Sequence, residues 1–354
     1  MNASASRGTE FRDDLRPLAA RPGAHNAAAR RALPAAELEP LTRLDARRSV
    51  QAVAGSLVSI AAVLAFGAAV WPSWWVVLAV LVIGRQQQAL FVLVHEAAHY
   101  RLFASRGWND LVGRALGIAG GVSMCTYRVT HRLHHNHLYG DEDPDTALHG
   151  GYPRGVAYLW RKLAQDVVGW NAWKTFAYFF GSPALNTETN RASRPLDDTS
   201  PELRSAARRD RWAVVAFHAG APMLAFACGG SRGLALYGVL WALPLVTVLQ
   251  PILRLRAICE HGAVTDLSSP LTAARTNRTW GSLANRLLGW LMFPHHVNYH
   301  VEHHLYPAVP HYHLPALHRL LAEKGALEGA EVRDLRETLS RVFAPKRSTR
   351  EATT

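Results

Sequence analysis

Residues 50–70 (VQAVAGSLVSIAAVLAFGAAV) contain hardly a polar side chain. As a helix rising about 1.5 Å per residue they reach roughly 31 Å, the thickness of one bilayer core. Trp71-Pro72-Ser73-Trp74-Trp75 then predicts a tight turn with aromatic rings at a membrane interface. A second apolar run goes from Trp74 towards Val94 and is interrupted by Arg85-Gln86-Gln87-Gln88. The part ahead of Arg85 is too short to cross alone, so the helix is expected to carry these polar groups into the bilayer. A charge at mid-span costs about 2.5–3.5 kcal/mol on insertion scales. Arg85 is therefore expected to face the bundle interior, with snorkelling to the interface as the competing reading. Two more apolar runs, Trp212–Cys228 and Leu234–Gln250, flank Gly229-Gly230-Ser231-Arg232-Gly233. The pattern predicts an all-α, polytopic membrane protein with four transmembrane helices in two hairpins.

Residues 101–211 are rich in arginine and hold no long apolar run. Within them, 156–180 (VAYLWRKLAQDVVGWNAWKTFAYFF) is amphipathic and Trp-rich, as helices lying along an interface are. Residues 182–210 read as a polar loop, Leu287–Phe293 as a short amphipathic piece, and Leu314–Phe343 as one or two soluble helices. Residues 1–48 have no apolar core, so no cleavable signal peptide is expected in them, and their Arg- and Ala-rich composition predicts a disordered basic tail. The chain thus divides into a tail (1–48), a membrane domain (49–320) and a soluble C-terminal helical tail (321–354). A hydrophobic content of 49% with a mean hydropathy of only −0.03 fits a few spans joined by polar segments.

Charge adds an orientation. The formal net charge is +12 and the pI near 10.1, which suits nucleic acid or an anionic membrane surface. No nucleic-acid module or aromatic-interleaved basic helix is present, so a membrane partner is expected and nucleic acid is not. Of 39 Lys and Arg, nine precede the first span, fifteen lie in 101–211 and thirteen follow residue 251. By the positive-inside rule these three segments, and with them both termini, are expected to be cytoplasmic. Cys125, Cys228 and Cys259 are widely separated, which implies neither an iron–sulfur cluster nor a disulfide framework.

The chemistry lies in the histidines. Three clusters, His95-Glu96-Ala97-Ala98-His99, His131-Arg132-Leu133-His134-His135 and His300-Val301-Glu302-His303-His304, hold eight of the chain's 18 histidines. Residues three and four apart share a helix face, so each cluster projects imidazoles in one direction. HExxH alone is a zinc-peptidase pattern, with His95 and His99 on the metal and Glu96 as base, and HxxHH alone is often a surface helix. Three clusters together resist a structural explanation, because a buried imidazole without a partner costs roughly 1–3 kcal/mol. They predict a polynuclear metal centre on one side of the membrane, without saying which metal. A peptidase leaves both HxxHH clusters unexplained, and a non-enzymatic metal carrier is the remaining reading. Asp141-Glu142-Asp143-Pro144-Asp145 reads equally as carboxylates orienting imidazole N–H groups or as a solvated acidic turn. His218, inside the third span, reads as a hydrogen-bonded core residue.

HEAAH, HRLHH followed by GDEDPD, and NYHVEHHLYP resemble the three histidine boxes of the membrane fatty acid desaturase family, over roughly residues 50–320. The superfamily includes membrane hydroxylases and carotenoid oxygenases. The resemblance implies a mushroom-like fold in which four spans carry a cytosolic helical cap holding two irons. Carried over, the ligands are His95, His99, His131, His134, His135, His300, His303 and His304, with His261 as the ninth and His296 a weaker rival for that place. His137, His295, His311 and His313 fall outside the pattern and are expected to be supporting or structural, and Asn298 is expected to hold an iron-bound water. The implied activity is O₂-dependent introduction of a cis double bond into a fatty-acyl or acyl-lipid chain, a non-haem di-iron oxidoreductase reaction, with lipid or carotenoid hydroxylation or ketolation as the alternative. With no HPGG haem signature, cysteine cluster or GxGxxG fingerprint in the sequence, an external electron donor is expected, a ferredoxin or a cytochrome b5-like protein with its reductase.

Overall fold

A computed structural model describes residues 32–182, 184–186, 191–193, 195–196 and 199–346. The chain is mostly helical, with two small two-stranded sheets among the described residues. Most of the expected disordered tail lies outside them. Its last part is ordered: α1 (Ala35–Thr42) is helical, Leu33 is buried in an apolar cluster, and α2 begins at Ala46.

α2 (Ala46–Val70) starts where the Asp45 carboxylate accepts from the Arg47 and Arg48 amides at 2.9 and 3.3 Å, capping the first turn. It buries only Ser49, Ser56, Ile60 and Gly67, so most of its apolar surface has no protein to cover it. That surface calls for an apolar solvent. After the turn at Pro72, α3 (Val76–Ala98) returns beside it and is buried throughout its second half. α4 (Arg106–Ala119) and α5 (Met124–Asn136) pack on its far end, around Ile83, Leu90, Leu93, Leu116 and Met124. Gly113 permits this, because a Cβ there would stand 2.3 Å from the Met124 sulfur and 2.6 Å from Ala97 Cβ.

A third apolar stretch runs from Pro201 to His261. α9 (Pro201–Tyr237) is opened by the Ser200 hydroxyl accepting from Leu203 N, with Pro201 in the first turn, where its missing N–H costs nothing. The helix therefore begins eleven residues before the expected span at Trp212, and arginines read as loop lie on its first turns. Gly230, at φ 58° and ψ −147°, breaks it. A Cβ on Gly233 would come 2.0 Å from the Ala225 carbonyl oxygen, so the chain folds back on itself here. A π turn (Gly238–Ala242) precedes α10 (Leu243–Val246), whose Pro244 has no N–H to give the ladder, and α11 (Leu249–His261) ends at the site. Among the described residues, three helical stretches are thus long and apolar enough to cross a membrane.

Arg85, expected to face the bundle interior, is bonded to protein groups. Its Nε donates to the Trp290 carbonyl at 3.0 Å and its guanidinium lies 4.9 Å over the Trp290 ring, so it is half-buried against a neighbouring helix. His218 is hydrogen-bonded as expected, to the Ile118 carbonyl and the Tyr237 hydroxyl, each at 3.2 Å.

The remaining elements pack against one another and against α3 and α11. α6 (Thr146–His149) is a single turn; α7 (Val156–Val167) buries Leu159 and Leu163 and, with α8 (Ala172–Phe179), presents Trp160 and Trp173 outward. β1 (Ala184–Asn186) pairs antiparallel with β2 (Arg191–Ser193) inside the expected loop. α12 (Pro270–Ala273), α13 (Leu283–Met292), α14 (His300–Leu305) and α15 (Leu314–Glu323) follow. Beyond residue 320 the chain stays packed on these elements. β4 (Val332–Asp334) lies parallel to β3 (Thr276–Arg278), Glu331 pairs at 2.9 Å with buried Arg275, and α16 (Leu335–Val342) buries Leu335 and Val342.

Candidate metal centre

Four separate elements bring their ends to one place. His95 and His99 come from the end of α3, His131, His134 and His135 from α5, His261 from the last residue of α11, and His300, His303 and His304 from α14. The nine resolve into two groups. His95, His99, His131, His135 and His303 form one; His134, His261, His300 and His304 form the other; within each, the ligand atoms all lie within 4.8 Å of one another. The division follows from helix geometry. In each HxxHH the i and i+4 residues stack on one stripe, while the third histidine points off that stripe. So α5 gives His131 and His135 to the first group and His134 to the second, and α14 gives His300 and His304 to the second and His303 to the first.

The nitrogens face each other. In the first group Nε2 of His303 is 3.0 Å from Nε2 of both His95 and His135, and His131 and His135 are 3.0 Å apart by the same atoms. In the second, Nε2 of His261 is 3.2 Å from that of His134 and 2.8 Å from that of His300, and His300 and His304 are separated by 3.2 Å. Metal–nitrogen bonds of about 2.1 Å at right angles put neighbouring donors about 3 Å apart. Three of the other ring nitrogens are committed elsewhere. Nδ1 of His134 donates to Asp143 Oδ1 and Nδ1 of His261 to the Ala273 carbonyl, each at 3.0 Å, while Nδ1 of His95 sits 3.1 Å from the Glu96 carboxylate. Rings that donate through Nδ1 turn lone pairs inward at Nε2, and lone pairs packed together call for a cation between them. This donor set fits two metal ions of the imidazole-preferring kind.

Electrostatics agrees. Burial, then repulsion from neighbouring imidazoles, pushes His131, His135, His300, His303 and His304 well below the usual histidine value, leaving neutral rings with lone pairs to give. His134 differs. Burial opposes its charge, but Asp143 and Asp145 outweigh burial and raise its pKa to about 9.

The chain carries a match to the fatty acid desaturase family model over residues 69–336, more than half its length. It belongs to the fatty acid desaturase family. It is 28% identical over 247 residues to a dihydrorhizobitoxine desaturase from Bradyrhizobium elkanii, covering 67% of this chain and 65% of that protein. It is 26% identical to a chloroplastic sn-2 acyl-lipid omega-3 desaturase (ferredoxin) from Helianthus annuus, covering 69% of this chain and 54% of the relative. An acyl-lipid (9+3)-(E)-desaturase from Dimorphotheca sinuata matches at 25%, covering 70% and 65%. The chain thus spans between about half and two thirds of the length of these desaturase relatives.

Around the two histidine groups, the acidic stretch after α5 resolves into several roles. Asp143, fully buried, accepts from His134 and from the Tyr139 and Asp145 amides, while Glu142 pairs with half-exposed His137 at 3.1 Å. Glu96, the base of the peptidase alternative, holds His95 and accepts the His311 amide at 2.9 Å, and so supports a ligand. His296 is not in either group. His295 meets the Ser56 hydroxyl at 3.2 Å, and His313 the Leu41 carbonyl at 3.0 Å. Asn298 is tied to β3: its side-chain Nδ2 donates to the Asn277 carbonyl at 3.0 Å and its backbone carbonyl accepts from Asn277 N.

A cavity of about 530 Å³ opens beside both groups, touching His131 of the first and His134, His261 and His300 of the second. Phe91, Val94, Phe179 and Leu253 make part of its wall, and Asp145, Tyr178, Arg254 and Glu260 another. Apart from Asp145, sequence reasoning did not single out these wall residues, and it missed His149, which lines the cavity and is buried next to His261. His149 is a single histidine in no periodic pattern, so the sequence carried no signal for it.

Proposed function

We propose that the protein is a membrane-bound, O₂-dependent di-iron desaturase that introduces a cis double bond into the acyl chain of a lipid or fatty-acyl substrate. The observation that carries this reading is the pair of inward-facing Nε2 groups on the wall of a cavity large enough for a small organic molecule. His95, His99, His131, His135 and His303 would hold one iron, and His134, His261, His300 and His304 the other. Two bound irons would supply the reduction of O₂ to an oxidant able to take hydrogen from an unactivated carbon, which side-chain acid–base chemistry cannot do. The chain's own part is positional. Asp143, Glu96 and the Ala273 carbonyl fix ring orientation, and Phe91, Val94, Phe179 and Leu253 exclude water from one side of the cavity.

In this reading α2, α3 and the two limbs of the Pro201–His261 stretch make four crossings in two hairpins. Both termini and the histidines lie on the cytoplasmic, Arg-rich side. Residues 49–320 carry the centre, and electrons come from a ferredoxin, as the name of the Helianthus relative suggests for that enzyme, or from a cytochrome b5-like protein with its reductase. The charged part of the wall favours a second reading, in which the substrate is more polar than a plain acyl chain. The Bradyrhizobium relative, named for dihydrorhizobitoxine, belongs on that side. Assay of the iron-loaded protein with ferredoxin, its reductase and a panel of acyl lipids, fatty-acyl thioesters and small polar acids separates them. Loss of two hydrogens from an acyl substrate supports the first reading, turnover only of polar acids the second, and gain of an oxygen atom a hydroxylase.

A further inference from the structure

His149 lies on the single turn α6, outside all three histidine motifs. It is 1% exposed, and neither of its ring nitrogens has a hydrogen-bond partner. An imidazole has one N–H and one lone pair to place, so a fold that buries both without a protein partner leaves them for something else. What surrounds the ring narrows the choice. Its centroid is 4.7 Å from that of His261, the same spacing that separates His261 from His134 and from His300. It lies 5.9 Å from the His134 ring, and one of its nitrogens falls within 4.8 Å of a ring nitrogen of His134 and a carboxylate oxygen of Asp143. The loop carrying it is held to the site, since Asp143 binds His134 and the Asp145 amide together.

The two histidine groups are also unequal, five donors against four. We infer that His149 is a tenth metal-ligating histidine, the fifth donor to the ion held by His134, His261, His300 and His304. This rests on the two-metal reading above. The four-donor group closes without His149, so ligation takes a turn of its ring towards the group. No hydrogen bond holds the ring back, and only contacts such as those with Tyr139, at 4.8 Å, and His261 resist.

The test uses the full chain in detergent, loaded with ferrous iron, and compares wild type with His149→Phe, His149→Ala and His137→Ala. Iron per chain, the rate of iron loss to a chelator and the Mössbauer spectrum are measured. His149→Phe keeps a ring to pack against Tyr139 and His261 and removes only the nitrogens. Ligation predicts that His149→Phe and His149→Ala alter the spectrum of one iron and leave the other unchanged. That iron is held about 10–100-fold more weakly, added imidazole restores the His149→Ala spectrum, and His137→Ala matches wild type. A His149→Phe or His149→Ala protein with both iron signals and chelator resistance unchanged overturns the assignment. Wild-type protein that takes up no iron overturns the two-metal reading itself, and the two failures are thereby distinct.

Discussion

At the scale of single residues, function turns on which imidazoles face inward and what holds them there. His134 and His303 belong to different groups, so removing either should empty a different half of the centre. Replacing either by Ala is expected to abolish turnover and lower bound iron, whereas His137→Ala, whose ring pairs with Glu142 at the edge, should be far milder. Iron content beside product formation checks this, and equal behaviour of all three variants would contradict the ligand assignment. Acid should act on the metal-free protein through the same rings. His131, His135, His300, His303 and His304 have folded pKa values well below the unfolded value of 6.5, so the unfolded chain binds more protons below that pH. Their contribution is complete above about 6.5 and lost on acidification, at up to about 1.4 kcal/mol per pH unit for each ring. His134, raised to about 9, works oppositely: its contribution is complete below 6.5 and lost as pH rises through 9. The melting temperature of the metal-free protein should therefore peak near pH 6.5, falling steeply towards acid through the five depressed rings and more gently towards pH 9 through His134, and a melting temperature that rises from pH 6.5 to 5 would contradict this balance. The motif histidines were legible because their spacing is local and periodic. His149 was not, because only the folding of the loop after α5 carries it to His261.

At the scale of elements, close approach is set by glycines. A Cβ at Gly84 of α3 would stand 2.5 Å from Val248 Cβ, while one at Gly55 of α2 would meet nothing within 4 Å. Gly84→Ala gains at most about 1 kcal/mol of helix propensity and should lose about 1–3 kcal/mol to overpacking. Gly55→Ala has only the gain. Thermal unfolding in detergent is expected to fall for the first and to hold or rise for the second. A Gly84→Ala protein as stable as wild type would mean that α3 does not pack so closely on the stretch after the π turn. Apolar runs predicted these helices well in kind, because a naked face such as that of α2 has no other use. Their ends were less legible. The start of α9 is decided by a Ser200–Pro201 cap rather than by hydropathy, and Arg85 found a partner in Trp290, 205 residues away in sequence. Asn298 shows the same limit, since its partner Asn277 is set by tertiary pairing with β3.

At the scale of the whole molecule, three helical stretches among the described residues are long and apolar enough to cross a membrane, and histidines from four separate elements meet beside a cavity. Family membership and the donor geometry point the same way, and the proposal joins them: two irons beneath the cap desaturate an acyl chain drawn from the membrane. Its most direct test is mass spectrometry of membrane lipids, with double-bond localisation, from cells expressing either wild type or His303→Ala together with a ferredoxin and its reductase. The account predicts acyl chains lighter by two hydrogens at one defined position, present with wild type and absent with His303→Ala. Lipids that are indistinguishable between the two, from cells in which the wild-type protein carries its full iron, would contradict it.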